Sequence, residues 1–175
     1  FLAELDKLEQ ELLSRKGHEL TGSPSLHAAL LQGGTEISTY ADRCTLKIER
    51  RTAPGENIDK PLAEIQEIID YLGAQDPSFK ANVKRTFWRE PFEIAREAEI
   101  VQILDTALGA RLGHQPAHTG QTFWTDAALF ADAGMETVLL GPKGYGLHSA
   151  EEWVDMESVL DLAYILTETA IKYCG

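Results

Sequence analysis

His148 is the residue of this chain best suited by its neighbours to hold a metal. It stands in the stretch Gly144-Tyr145-Gly146-Leu147-His148-Ser149-Ala150-Glu151-Glu152-Trp153-Val154. A glycine-rich strand exit precedes the imidazole, and two carboxylates follow it. A metal-binding imidazole commonly has a carboxylate beside it, which orients the ring and raises its basicity. One imidazole is one ligand, however, and a catalytic zinc takes three protein ligands and an open position. A lone histidine is more often a loop residue. Context raises His148 above that, because α/β folds place ligands beyond the C-terminal ends of strands. Glu151 and Glu152 lead toward a helix, where the N-terminal dipole favours carboxylates, and for Glu151 that reading is preferred.

Other candidates have simple alternatives. Thr125-Asp126 opens a helix after Gly120-Gln121-Thr122-Phe123-Trp124; a threonine cap with an acidic first turn accounts for the pair. His118 could touch a substrate, but a plain loop histidine is the simpler reading. Arg50 and Arg51 end a strand before Pro54-Gly55-Glu56. Arginines at a strand exit usually point to water, whereas a functional one clamps a carboxylate with two parallel hydrogen bonds. Sequence physics leaves both readings open. His18 and His27 have no partner at ligand spacing. The chain contains no HExxH, GxSxG, P-loop, GxGxxG or zinc-finger spacing.

These residues depend on the elements that carry them. Leu2, Leu5, Leu8 and Leu12 recur at helical spacing, and Gly17 is expected to stop that helix as a left-handed cap. Ser23-Pro24 reads as the connecting loop. Thr35 to Tyr40 reads as a strand after the Gly33-Gly34 turn. Cys44, Leu46 and Ile48 alternate with Thr45, Lys47 and Glu49, the pattern of a half-buried strand. A helix from about Pro61 shows Leu62, Ile65, Ile69 and Leu72 on one face, with Gly73 beyond its end. Phe79, Ala81 and Val83 alternate as another strand. Helix, strand, strand, helix, strand would become the ferredoxin-like β-α-β-β-α-β unit with one leading strand added. From about Ala95 to Leu108 the spacing predicts a helix ended by Gly113, and from Thr125 to Ala133 one ended by Gly134. Val138-Leu139-Leu140 reads as a short buried strand. Asp155 is expected to cap a last helix presenting Val159, Leu162, Ile165, Leu166 and Ile171. The second half is therefore an α/β layer whose one clear strand needs others to make a sheet.

Composition narrows the function classes. The 175 residues are 43% hydrophobic and 25% charged, with a net charge of −12. No basic run exists, which argues against nucleic acid and anionic membrane surfaces as partners. Cys44 and Cys174 belong to no CxxC pair, so a reducing, cytoplasmic setting is the default. The chain opens on Phe1 directly into a helical pattern, and the expectation is that it is a piece of a longer polypeptide.

Three stretches together resemble a known family, the cocatalytic-zinc metallopeptidases with a lid domain, which include acetylornithine deacetylase, succinyl-diaminopimelate desuccinylase, aminoacylase and glutamate carboxypeptidase. They are Gly33 to Glu56, Thr125 to Phe130, and Gly144 to Val154. Each is weak alone; their order and spacing are specific and cover nearly the whole chain. The resemblance implies a lid, or dimerisation, domain over residues 1–92, ferredoxin-like but without its first strand. It implies the C-terminal α/β part of the catalytic domain over 93–175. His148 looks like a late histidine metal ligand, and Arg51 like the lid arginine that holds the substrate carboxylate. Ser38 falls where many relatives have an asparagine that helps bind substrate. Asp126 matches a Thr-Asp element near the site, and Gly144 and Gly146 match glycines that shape the pocket wall.

The same resemblance implies two zinc ions per complete active site, with cobalt or manganese as alternatives, a small substrate with a free carboxylate, and a homodimer formed through the lid. The reaction implied is hydrolysis of the amide bond of N-acyl amino acids or small peptides, with metals polarising the carbonyl and a glutamate as general base. The His-x-Asp and Glu-Glu elements that supply that base and most ligands have no counterpart here. No catalytic residue is therefore assigned within this chain, which alone is expected to bind no metal tightly and to be inactive. A second hypothesis is a non-enzymatic dimerisation or binding module of the same family. A third is a different acidic α/β enzyme.

Overall fold

Leu5, Leu8 and Leu12 recur every three or four residues, so one face of α1 (Leu2–Ser14) is apolar and all three are buried. The computed structural model describes residues 1–175 and divides into two compact units. The first is Phe1–Pro91 with Thr119–Phe123, and the second is Phe92–His118 with Trp124–Gly175. In the first unit α1 is followed by β1 (Ser25–Gly33), β2 (Cys44–Arg51) and α2 (Lys60–Gln75). β1 and β2 form a two-stranded antiparallel sheet, with Ser25 opposite Arg51 and Gly33 opposite Cys44. Leu26 joins Leu5, Leu8, Leu12, Ile65 and Ile69 in the core, and Leu46, Ile48, Phe79 and Val83 pack against it. A bulge between Ala28 and Leu30 shifts the pairing. Beyond it Leu30 and Leu31 are exposed.

Several sequence expectations are corrected here. The first strand of the pair is Ser25–Gly33; Thr35 to Tyr40 forms an exposed connecting loop in which Ile37 and Tyr40 meet solvent. The bulge breaks the two-residue alternation that would have marked β1. Gly17 is not a helix cap, since α1 ends at Ser14 with Arg15 extended. Gly17 is required for a different reason: a Cβ there would lie 2.2 Å from the Gly22 carbonyl carbon. The adjoining His18 and Gly22 exchange two backbone hydrogen bonds of 2.9 Å. Gly73 lies inside α2. That helix stops at Gln75 because Asp76 precedes Pro77, which disfavours the helical conformation. The Asp76 carboxylate instead accepts the Ser78 N–H at 2.9 Å. Phe79 to Lys84 places Phe79 and Val83 on the core, but no ladder forms along it.

In the second unit α3 (Glu99–Leu112), α4 (Ala127–Asp132), β3 (Gly144–Tyr145), β4 (Trp153–Val154) and α5 (Met156–Cys174) follow one another. Glu136 accepts the Ile100 N–H at 2.9 Å and so satisfies an orphan donor in the first turn of α3. Gly113, left-handed at φ 76°, ends that helix, and Gly134 at φ 83° follows α4. Asp155 caps α5 by accepting the Ser158 N–H at 2.8 Å, as its sequence position predicts. Leu104, Ala107 and Leu108 of α3 pack on Ile165 of α5, with Val138 and Leu140 against them. Leu166 and Ile171 of α5 are exposed instead. Val138 to Leu140 is not a strand either, because nothing in this unit pairs with its backbone; the unit's one sheet is the β3–β4 pair. No helix is long and apolar enough to cross a membrane. Cys44 and Cys174 are exposed free thiols.

Candidate functional site

The hairpin that carries His148 is shaped by its glycines. Gly144 pairs with Val154 and Tyr145 with Trp153. The Tyr145 and Trp153 rings stack with centroids 6.4 Å apart. A Cβ on Gly144 would stand 2.7 Å from the Trp153 carbonyl oxygen, and one on Gly146 only 1.8 Å from that of Glu151. Gly146 also has φ 76°. Both positions thus require glycine for close backbone approach. The Ser149 N–H donates to the Gly146 carbonyl at 2.8 Å, and the Ser149 hydroxyl to the Glu151 carbonyl at 2.8 Å.

This loop sets His148 at φ 63°, and no other non-glycine residue of the chain has a positive φ. The left-handed region costs an L-residue about 1–2 kcal/mol. Such strain collects where function requires a particular side-chain direction. His148 is exposed, as are Glu151 and Glu152. Glu151 braces the loop through its backbone carbonyl rather than its carboxylate.

No three His, Cys, Asp or Glu side chains converge where one metal ion could sit. The donor set of this chain therefore does not by itself fit a two-metal centre. Asp126 is the residue before α4, exposed, with no hydrogen bond from its side chain to the helix. The cap there is Thr125, whose hydroxyl accepts the Ala127 N–H at 3.3 Å. His118 sits in a contact that sequence reading missed: its Nε2 lies 2.9 Å from both carboxylate oxygens of Asp105 on α3. Thirteen residues separate the two, and nothing in local spacing links them.

In the first unit, Arg51 ends β2 on the outer face of the sheet with its side chain 43% exposed. Its Nε lies 3.5 Å from Glu49 Oε1. Glu49 Oε2 in turn lies 3.0 Å from His27 Nε2 on β1. Ser38 belongs to the loop joining β1 to β2. The Ser38 and Thr39 hydroxyls donate to Glu36, Thr39 above all holding that carboxyl below its ordinary range. The hairpin separates Ser38 from Arg51: the seven steps from Cys44 to Arg51 alone span roughly 23 Å.

Sequence left open whether each arginine faces water or clamps a ligand, and Arg50 does neither, turning inward instead. Its side chain is 7% exposed and grips Glu56, with Nη2–Oε1 at 2.8 Å and Nη1–Oε2 at 3.3 Å. Arg50 Nε also donates to Glu64 at 3.1 Å, and Arg15 Nη1 reaches the other Glu64 oxygen at 2.6 Å. Burial would push the Glu56 carboxyl up, but Arg50 and the Ala53 N–H outweigh it and hold Glu56 below its ordinary value. The Ala53 N–H bond closes the turn through Pro54 and Gly55 at 2.9 Å. A signal for this was present. Extending the Leu46, Ile48 alternation by one step puts Arg50 on the core face and Arg51 with Glu49.

The family model described as peptidase family M20/M25/M40 matches residues 10–172. The chain is 26% identical over 187 residues to N-formyl-4-amino-5-aminomethyl-2-methylpyrimidine deformylase of Bacillus subtilis, covering 99% of this chain and 44% of that protein. It is 24% identical over 178 residues to acetylornithine deacetylase of Myxococcus xanthus, covering 100% and 45%. Among solved structures, aminopeptidase PepT from Bacillus cereus superposes with a TM-score of 0.65 at 17% identity, over 93% of this chain and 43% of that one. That likeness shows a shared mixed α/β fold. The chain thus spans less than half the length of the relatives it matches.

Proposed function

The chain belongs to peptidase family M20/M25/M40, and on that premise we propose that it serves a metal-dependent hydrolase of amide bonds in N-acyl amino acids or small peptides. One relative is a deformylase of an N-formyl compound and another a deacetylase. Both names describe acyl removal, which supports a deacylase-like reaction here. The family membership also sets aside an unrelated acidic α/β enzyme.

The observation that carries the reading is His148, held left-handed in a loop that two obligatory glycines shape. His148 would lend one imidazole to a metal, zinc by preference, whose other ligands this chain does not supply. Arg51 would clamp a substrate carboxylate from a ferredoxin-like lid over residues 1–92, and residues 93–175 would be the C-terminal α/β part of a catalytic domain. Ser38 would contribute to substrate binding from the lid, and Asp126, Gly144 and Gly146 would do so from the catalytic part. The chain alone would be inactive. A cytoplasmic setting is proposed on its two free thiols.

The test is hydrolysis of N-acyl amino acids with zinc, cobalt or manganese supplied, by this chain alone and by a longer protein that carries it. Turnover should belong to the longer protein and should vanish in His148→Ala. Undiminished turnover in that variant would refute the assignment of His148, and efficient turnover by the chain alone would refute its incompleteness.

A second reading, a dimerisation module, is favoured by one observation. β1 has a partner along one edge only, and Leu30 and Leu31 on it are 54% and 59% exposed. An open apolar edge of this kind suits pairing with a second copy. Light scattering should then show a dimer that Leu30→Lys with Leu31→Lys converts to monomer.

A further inference from the structure

We infer that Glu49 is a positioning residue for Arg51, occupying one edge of its guanidinium so that the other edge is presented to a substrate carboxylate. The inference rests on the reading of Arg51 as the carboxylate clamp.

Three observations carry it. First, Glu49 and Arg51 are two residues apart on β2 and therefore share the outer face of the sheet. Second, His27 stands directly opposite Glu49 in the strand register. Its Nε2 lies 3.0 Å from one carboxylate oxygen, and the other oxygen lies 3.5 Å from Arg51 Nε. The carboxylate thus stands between the neighbouring strand's imidazole and the arginine. Third, the backbone of Arg51 is tied down as well. Arg50 Nη1 donates to the Arg51 carbonyl at 2.5 Å, and Arg50 is itself buried against Glu56 and Glu64.

A guanidinium offers two forked edges, one containing Nε and one made of the two terminal nitrogens. Glu49 pairs with the first as an ion pair at 3.5 Å. The terminal edge remains, and it can make two parallel hydrogen bonds to a carboxylate. A long side chain loses rotamer freedom when it binds a ligand. Holding it in place beforehand lowers that loss and strengthens binding without adding a contact to the ligand. Glu49 therefore acts on carboxylate affinity through Arg51 and does not touch the scissile bond.

Two measurements test this. In the folded chain, hydrogen exchange at Arg51 Nε–Hε is followed by 15N NMR, with Arg50 Nε–Hε as internal reference. Glu49→Gln should speed exchange at Arg51 about twofold to fivefold, the range a half-exposed ion pair supplies, and leave Arg50 unchanged. In the active protein that carries this chain, Glu49→Gln should raise KM for an N-acyl amino acid by a similar factor. It should leave kcat, and KM for the matching C-terminal amide, unchanged. Unchanged exchange at Arg51, or KM rising equally for acid and amide, would overturn the inference. Arg51→Ala separates the two layers of argument. If it leaves the preference for acid over amide in place, the clamp reading has failed. If it abolishes that preference while Glu49→Gln has no effect, only the positioning role has failed.

Discussion

Arg50 and Arg51 adjoin on one strand and serve opposite faces of its sheet. Arg50 is 7% exposed and fork-bonded to Glu56, whereas Arg51 is 43% exposed and 3.5 Å from Glu49. The two-residue period of a strand allows neighbours of identical charge to have unlike duties. One arginine closes the Ala53–Glu56 turn from inside, and the other is left on the outer face of the same strand end.

The pair should separate sharply in stability measurements. Arg50→Ala takes from Glu56 its close ion-pair partner, while Glu64 keeps Arg15 at 2.6 Å, and removing one partner of a buried ion pair costs about 3–5 kcal/mol. Arg51→Ala removes a half-exposed pair worth less than about 1 kcal/mol. Urea unfolding monitored by circular dichroism reads both. Equal losses would contradict the burial assigned to Arg50.

Acid should test the same network. The folded-state pKa of Glu56 lies below its ordinary value of 4.5. A depressed carboxyl contributes stability that is complete above the unfolded pKa and is lost as pH falls through the folded one. Melting temperature should therefore drop on the acid side of about pH 4.5. Glu56→Gln should lower stability near neutrality and flatten that acid limb. A variant with an unchanged acid limb would show that Glu56 is not the group responsible.

His148→Gly should trade function for stability. Glycine adopts φ 63° without the Cβ penalty. Relief of left-handed strain of about 1–2 kcal/mol, less the greater unfolded entropy of glycine, should leave a net gain of about 0.5–1 kcal/mol. Metal-dependent turnover of the longer protein should be lost in the same variant. A destabilised His148→Gly would mean that the imidazole packs in the fold rather than serving a site.

Two of the three left-handed glycines of the second unit, Gly134 and Gly146, should respond unequally to alanine. At Gly134 a Cβ meets nothing within 4 Å, so Gly134→Ala should cost about 1–2 kcal/mol from the backbone conformation alone. At Gly146 the added Cβ would stand 1.8 Å from the Glu151 carbonyl oxygen. Gly146→Ala must also open the hairpin, visible as loss of the near-ultraviolet signal of the stacked Tyr145 and Trp153. An intact signal with normal stability would contradict the loop geometry.

Local pattern by itself determined a good deal of this protein. The leucine stripe of α1, the proline-led start of α2, the glycines that stop α3 and α4 and the Asp155 cap were all readable, because a helix bonds within its own segment. The three motif stretches likewise pointed to the family whose model matches residues 10–172. Tertiary structure decided the rest. Phe79 to Lys84 and Val138 to Leu140 have strand-like composition but no ladder, because a strand needs a partner brought from elsewhere in the chain. Ser25–Gly33 is a strand despite a pattern interrupted by its bulge, because β2 lies beside it. Arg50 became a buried anchor only when Glu56, Glu64 and Arg15 were folded around it, the last two 14 and 35 residues away. Side-chain periodicity is written within a few consecutive residues, whereas strand pairing and buried charge compensation depend on groups that only the folded chain brings within hydrogen-bonding distance.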